Sequence, residues 1–185
     1  MIKIKAVDDE NVLDVCELKT NQDDICAVRE RHSYCNAISI AEAKYHSELY
    51  PNAIYNNNVL IGFFMYQRTE NHAETAIICR LMLDDRFRHN RFEEKALEHI
   101  LRGLKIQGVK EVIVIIDTAN ENAKKLYLSF DFQFTGKIDK SWILLQIRNI
   151  NLIYQIWRNY HEKNNCTCFV FYNEQLCFGG LLGRK

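Results

Sequence analysis

Residues 81–97 constrain this chain more than any other stretch. An apolar strand, Leu81-Met82-Leu83, passes through a polar turn, Asp84-Asp85-Arg86-Phe87-Arg88-His89-Asn90, into an amphipathic helix opening at Arg91-Phe92-Glu93-Glu94-Lys95-Ala96-Leu97. The first-turn N–H groups of such a helix have no acceptor within the helix. A turn that aims them outward makes a seat for a phosphate-bearing ligand. On its residues alone, Arg86 to Lys95 also fits a solvated turn and helix start.

A chain of 185 residues is long enough for one domain with a single core. Its 24 basic residues balance its 24 acidic ones, so no net field steers it to nucleic acid or to an anionic membrane. No apolar run approaches the roughly 18 residues that a membrane helix needs. The seven cysteines, an odd number scattered from Cys16 to Cys177, predict reduced thiols and, with no signal-peptide pattern, a cytoplasmic protein. Cys166-Thr167-Cys168 with His161 and Cys177 matches no common zinc spacing, so no metal site is expected.

Ile2 to Val7 alternates as a strand, and Val12, Val15 and Leu18 recur at helical spacing. Further helix is expected over 23–31 and around 40–44, and Pro51 marks entry to a new segment. Ala53-Ile54-Tyr55 and Val59 to Tyr66 read as a hairpin about Asn56-Asn57-Asn58. Thr75 to Leu83 is almost continuously apolar, as in a strand buried on both faces. Phe92, Ala96, Leu97, Ile100, Leu101 and Leu104 form a helical stripe closed by Gly108. Val112 to Ile116 is a buried strand, and Asn120 caps a helix whose inner face carries Ala123, Leu126, Tyr127 and Phe130. Strands at 132–134 and 142–147, with a turn around Gly136, complete a layered α/β (α+β) domain. Burial is expected at Phe92, Leu97, Leu101, Ile113, Ile115, Leu126, Phe130 and Trp142.

This order, the turn at Arg88 to Glu93, and Asn120-Glu121-Asn122-Ala123-Lys124-Lys125-Leu126-Tyr127 resemble the GCN5-related N-acetyltransferase (GNAT) superfamily over residues 1–148. The resemblance implies a mixed, splayed central sheet flanked by helices, with acetyl-coenzyme A in the splay between the strands at 75–83 and 112–116. Backbone groups of Leu81, Met82 and Leu83 would hold the acetyl and pantetheine parts. Those of Arg88, His89, Asn90, Arg91, Phe92 and Glu93 would hold the diphosphate, and Asn120 matches the Asn that opens the following helix. Tyr127 stands where the family has its frequent general acid. Arg91 and Glu93 replace two small residues of the family turn, and Asp131 replaces a glycine before Phe132. Glu93 is expected to weaken coenzyme binding more than Arg91, because its carboxylate repels diphosphate.

Within the superfamily the closest look is to bacterial spermine/spermidine acetyltransferases, through Ala41-Glu42-Ala43-Lys44, Leu60-Ile61-Gly62-Phe63 and Phe132-Gln133-Phe134-Thr135-Gly136. That implies direct acetyl transfer to a small, polyamine-like amine. Tyr34 falls where such enzymes tend to carry a glutamate, and Cys79 where an aspartate precedes Arg80. Glu30 and Glu42 remain as candidate carboxylates for the amine. The alternative is a non-catalytic GNAT-like binding or assembly module. Residues 149–185 read as a C-terminal extension, a helix near 150–160 and a hairpin at 166–179, whose Tyr172-Asn173 and Gly179 echo Tyr55-Asn56 and Gly62 as a partial repeat would. Its apolar strands need cover, from the main sheet or from a second subunit, and a homodimer is the expectation.

Overall fold

A computed structural model describes residues 1–19, 36–87, 91–139 and 142–148. The strands are β1 (Ile2–Ala6), β2 (Leu49–Asn56), β3 (Val59–Gln67), β4 (Thr75–Leu83), β5 (Glu111–Asp117), β6 (Gln133–Asp139) and β7 (Trp142–Arg148). The helices are α1 (Val12–Glu17), α2 (Asn36–Tyr45), α3 (Phe92–Ile106) and α4 (Glu121–Leu128). The strands form one sheet in the order β1-β2-β3-β4-β5-β7-β6. Among the described residues only β4 and β5 run parallel, and every other pairing is antiparallel.

The parallel pairing is short. It runs from Thr75–Glu111 to Ile78–Val114 and then stops. Beyond it, Arg80 to Leu83 stay on β3, while Ile115 to Asp117 stay on β7. The two central strands therefore part company halfway along, and the sheet opens as a fork. The splay starts beside a β-bulge: Met65 faces Arg80 and Tyr66 faces Ile78, which leaves Cys79 as an extra residue on β4.

The bulge resets which way β4 faces. Ala76 and Ile78 before it, and Leu81 and Leu83 after it, join one core with α3 and α4. Cys79 and Met82 join the other, with Val15 and Leu18 from the α1 region and Ile40 and Ala43 of α2. A nine-residue strand facing two cores has to be apolar throughout, which is why Thr75 to Leu83 lacks simple alternation. On β3 the sides alternate from Phe63 onward, past a bulge at Ile61: Phe63 and Met65 face α1 and α2, Phe64 and Tyr66 face α3.

The α3 stripe is buried through Ala96, Leu97, Ile100, Leu101 and Leu104. The helix ends where expected, at Gly108 with φ 87°, and the Val109 N–H returns to the Leu104 carbonyl at 3.0 Å. Of the residues expected inside, Leu97, Leu101, Ile115, Leu126 and Phe130 are buried, whereas Phe92 and Ile113 are only half-buried. Phe92 sits at the first turn, packed against the margin of the core, with its ring edge-on to Phe87 at 6.4 Å. The side chain of Trp142 lies outside the described residues.

Two punctuation residues do other work than their type suggests. Gly136 lies inside β6 rather than in the closing turn: its φ of 80° takes up extra residues between the Phe134–Leu145 and Ile138–Ile143 pairs. Pro51 lies inside β2, one residue beyond the last β1 pair at Ala6–Asn52, where its carbonyl accepts from the Val7 N–H at 3.1 Å. A proline is tolerated where the neighbouring strand has ended. The helix expected over 23–31 and the extension at 149–185 lie outside the described residues.

Gly62 lets β3 and β4 close at the tip of the fork. It pairs with Leu83, and a Cβ there would collide with the Met82 carbonyl oxygen and the Leu83 side chain. Backbone cannot step aside as a flexible side chain can. Gly62→Ala is expected to cost about 1–3 kcal/mol of stability, read as a lower midpoint in thermal unfolding; an unchanged midpoint would show the two strands to be looser than this.

Candidate functional site

The fork is the candidate site, because its two inner edges carry backbone groups that no strand pairing uses among the described residues. Leu81, Met82 and Leu83 line one prong and are buried. Ile115, Ile116 and Asp117 line the other, also buried. Below the β4 prong, the chain crosses a 3-10 turn at Asp85–Phe87 and re-enters as α3 at Arg91 and Phe92. Arg88, His89 and Asn90 lie outside the described residues.

Arg91 caps α3 with φ 55° and ψ 30°, a left-handed conformation. Asp131, after α4, has φ 62°. These are two of the three positions where large or charged residues replace small ones, so the backbone keeps a shape that glycine would adopt without strain. The third, Glu93, lies on the buried stripe of α3 with Ala96, Leu97 and Ile100. Its carboxylate is thus tucked toward the sheet rather than displayed in solvent. The Arg91 guanidinium stands 3.7 Å from Glu94 one turn on, a half-exposed pair that adds little to stability.

Tyr127 is fully buried, in the core formed by α3, α4 and the sheet. Burial pushes its hydroxyl well above the usual value of 10.0. The ring is fixed by the way α4 ends. The Phe132 N–H returns to the Tyr127 carbonyl at 3.2 Å, Asp131 turns the chain left-handed, and the Phe132 ring meets the Tyr127 ring edge-on at 4.9 Å. At the other end of α4, Asn120 is the expected cap, its side-chain oxygen accepting from the Ala123 N–H at 3.0 Å. Asp117 shapes the turn before it by accepting from the Ala119 N–H at 2.8 Å.

On the opposite face, Cys79 is a buried thiol pushed up to about 12 by desolvation, so it is no nucleophile at physiological pH. Arg80 reaches α2, donating from Nε to the Ser39 hydroxyl at 3.0 Å and from its terminal nitrogen to Glu42 at 3.3 Å. Glu42 is thereby engaged in holding α2 to β4. Glu30 and Tyr34 lie outside the described residues.

Asp84 is the functional-looking residue that sequence reading missed. It follows β4 directly and is buried, accepting from the Lys19 N–H at 3.1 Å, from the Arg86 N–H at 3.1 Å and from Arg86 Nε at 2.7 Å. Burial alone would push its carboxyl up; the Arg86 side chain and the two backbone donors outweigh that and hold it below the ordinary 3.8. The only local signal was an aspartate two residues before an arginine, and its partner Lys19 is 65 positions away.

Among the described residues there is no cluster of metal-ligating side chains, and no helix is long and apolar enough to cross a membrane. The chain matches the sequence model of the acetyltransferase (GNAT) family over residues 14–132. It is 26% identical over 144 residues to the spermine/spermidine N(1)-acetyltransferase of Bacillus subtilis (strain 168), covering 75% of this chain and 91% of that one. Its fold is similar to the PaiA N-acetyltransferase of Thermoplasma acidophilum in complex with coenzyme A, with a TM-score of 0.57 at 17% identity over 80% of this chain and 99% of that one. It is also similar to an acetyltransferase from Elizabethkingia anophelis with acetyl-CoA bound, with a TM-score of 0.55 at 14% identity over 80% and 97%.

The strain at Arg91 is testable by itself. Arg91→Gly is expected to raise stability by about 0.5–1 kcal/mol, because it removes the left-handed penalty. Arg91→Ala keeps that penalty and should give no gain. Thermal unfolding of the two variants side by side decides it, and equal midpoints would mean that residue 91 carries no strain.

Proposed function

Because the chain belongs to the GNAT acetyltransferase family, we propose that it moves an acetyl group from acetyl-coenzyme A to a small amine of the polyamine class. The fork carries this reading: among the described residues one edge of the Leu81–Leu83 backbone has no strand partner, and the strand leads on to the N-terminus of a 15-residue helix. The donor set fits the coenzyme. First-turn N–H groups of α3 suit a diphosphate, the left-handed backbone at Arg91 keeps a glycine-like turn, and the fork suits an extended thiol arm. Bound there, acetyl-coenzyme A supplies the thioester whose acyl carbon the amine attacks and whose sulfur leaves. Backbone donors at Leu81 to Leu83 would steady the oxygen that gains charge. Holding amine and thioester together removes any need for a covalent enzyme intermediate. Tyr127 would return a proton to the departing sulfur, and the raised hydroxyl value keeps that proton in place across the working range. The proton that the reacting nitrogen loses makes good the one that Tyr127 gives to sulfur, so amide and thiol form with no net gain or loss of protons.

The polyamine class rests on the likeness to the Bacillus enzyme. With Cys79 in place of a carboxylate and Glu42 occupied by Arg80, the amine is held by few charges, which favours modest affinity. The same proposal takes the protein as a cytoplasmic homodimer closed by residues 149–185. Light scattering should then give about twice 21.8 kDa, and a monomer for the full chain would remove that part.

Two measurements test the chemistry. Calorimetric titration with coenzyme A should show binding, and Tyr127→Phe should lower kcat about 10²–10³-fold with little change in coenzyme affinity. In the wild type, no loss of kcat from Tyr127 ionisation is expected below pH 10, because burial raises its value above 10.0. Absence of heat at millimolar coenzyme A would leave the non-catalytic module as the better reading.

A further inference from the structure

The two prongs of the fork are joined over a short length. β4 and β5 pair from Thr75–Glu111 to Ile78–Val114, a lap of about 10 Å at the rise of a strand. Beyond it β4 runs on to Leu83, about 17 Å with no partner on the β5 side among the described residues. The closed end of the lap carries a polar cluster that the acetyl transfer itself does not use. Glu111, at the start of β5, stands opposite Thr75 of β4 and Arg148 of β7. One of its carboxylate oxygens accepts from the Thr75 hydroxyl at 3.2 Å. The other accepts from Arg148 Nε at 2.9 Å and from the Gln146 side-chain amide. Among the described residues, Thr75–Glu111 is the one side-chain hydrogen bond between β4 and β5. Backbone closes the lap beneath it, where the N–H groups of Lys110 and Glu111 donate to the Glu74 carbonyl at 2.7 and 3.1 Å.

Position gives this cluster its meaning. In a short lap, play at the closed end is enlarged at the open tips, and here the free prong is longer than the lap. Glu111 sits at the outermost pair, where a fastener has the greatest control over how far the tips stand apart. Arg148 and Gln146 share one oxygen and fix the carboxylate to β7, which leaves the other oxygen to hold β4 through Thr75. The Arg148 side chain is mostly exposed, so its ion pair adds little to stability. What the cluster supplies is a fixed spacing. We propose that Glu111 is a positioning residue for the coenzyme: as a clasp across β4, β5 and β7 at the closed end of the fork, it sets the separation of the two prongs between which the thiol arm lies. This rests on the fork being the coenzyme seat, as in the acetyl-transfer reading above. A fork already held at its working width loses less freedom when the arm enters, and that difference is felt in affinity.

The test is calorimetric titration of the full chain with coenzyme A, well below the unfolding midpoint of each variant. Glu111→Ala should raise the coenzyme Kd about tenfold, the scale of one lost hydrogen bond to a charged group. Thr75→Val removes the hydroxyl, keeps the branched shape, and should raise Kd about threefold. Thr75→Ser and Glu111→Gln keep an oxygen at each end of that bond and should restore much of the affinity. Lys110→Ala breaks the exposed pair with Glu74 next to the clasp and leaves the Glu111 bonds in place, so Kd should stay within about twofold of wild type. Asn11→Ala calibrates stability: it removes the bonds of a buried amide to the Ala6 carbonyl and the Asp8 N–H, beside β1 and far across the sheet from β5. It should lower the unfolding midpoint and leave Kd unchanged. If Asn11→Ala raises Kd as much as Glu111→Ala at a similar loss of midpoint, the clasp acts through stability alone and the proposal is wrong. If the wild type binds coenzyme A and Glu111→Ala and Thr75→Val bind it equally tightly, the proposal fails while the coenzyme seat stands. Where Glu111→Ala does not fold, Thr75→Val decides, and wild-type affinity in that variant overturns the clasp. A wild type that gives no heat at millimolar coenzyme A removes the seat, and this inference with it.

Discussion

One extra residue in one strand organises this molecule. Cys79 has no partner on β3, and around it β4 changes which of its alternate side chains face which layer. Without the bulge, Leu81 and Leu83 would point at α1 and α2, and Arg80 would be driven into the apolar core beneath α3. With it, both apolar cores stay continuous. The strand bends at the same place, since bulges sharpen local twist, and the pairing with β5 ends one residue earlier, at Ile78. A sheet with unbroken pairing would spend every central backbone group on its neighbours and leave nothing for a ligand. The fork is a local loss of hydrogen bonding at the middle of the fold, which two well-packed cores on either side can sustain.

Much of the scaffold was legible because it depends on local chemistry. The strand at Thr75–Leu83 was read to the residue, and the stripe from Ala96 to Leu104 with Gly108 behind it is a pattern of spacing alone. The Asn120 cap follows from one side chain and the N–H three residues on. What stayed hidden is what depends on pairing. An almost continuous apolar run carries no parity signal, so neither the bulge at Cys79 nor the end of β4–β5 pairing is written in it. Gly136 and Pro51 were read as breakers between elements. Each sits within a strand, Gly136 where the register slips and Pro51 just past the end of the neighbouring β1. Asp84 was invisible because its meaning lies in Lys19, far off in sequence.

The altered turn positions show a different limit. Arg91 and Asp131 look incompatible with a glycine-like backbone, yet both adopt it. At Asp131 the conformation is fixed by the ending of α4: the Phe132 N–H and ring return to Tyr127. Aspartate also tolerates the left-handed region better than most residues. At Arg91 the turn must bring the chain from the 3-10 segment into a helix whose stripe is already committed to the sheet. In both places tertiary packing sets φ, and the side chain bears the strain. A sequence motif records which residue would be comfortable; it does not record whether the backbone bends without it.

Along β4 the packing is divided between two layers. Leu81 and Leu83 pack with α3, the helix whose N-terminus suits a diphosphate, while Arg80, Met82 and Asp84 hold α1 and α2. Side chains therefore carry the packing on both faces, and among the described residues the backbone edge of Leu81 to Leu83 toward β5 has no strand partner. Because successive residues face opposite layers, a change at 81 or 83 is felt first in the α3 and α4 layer, and a change at 80, 82 or 84 in the α1 and α2 layer. In the proposed acetyl transfer, the reacting carbon would lie at the level where both layers meet the same backbone.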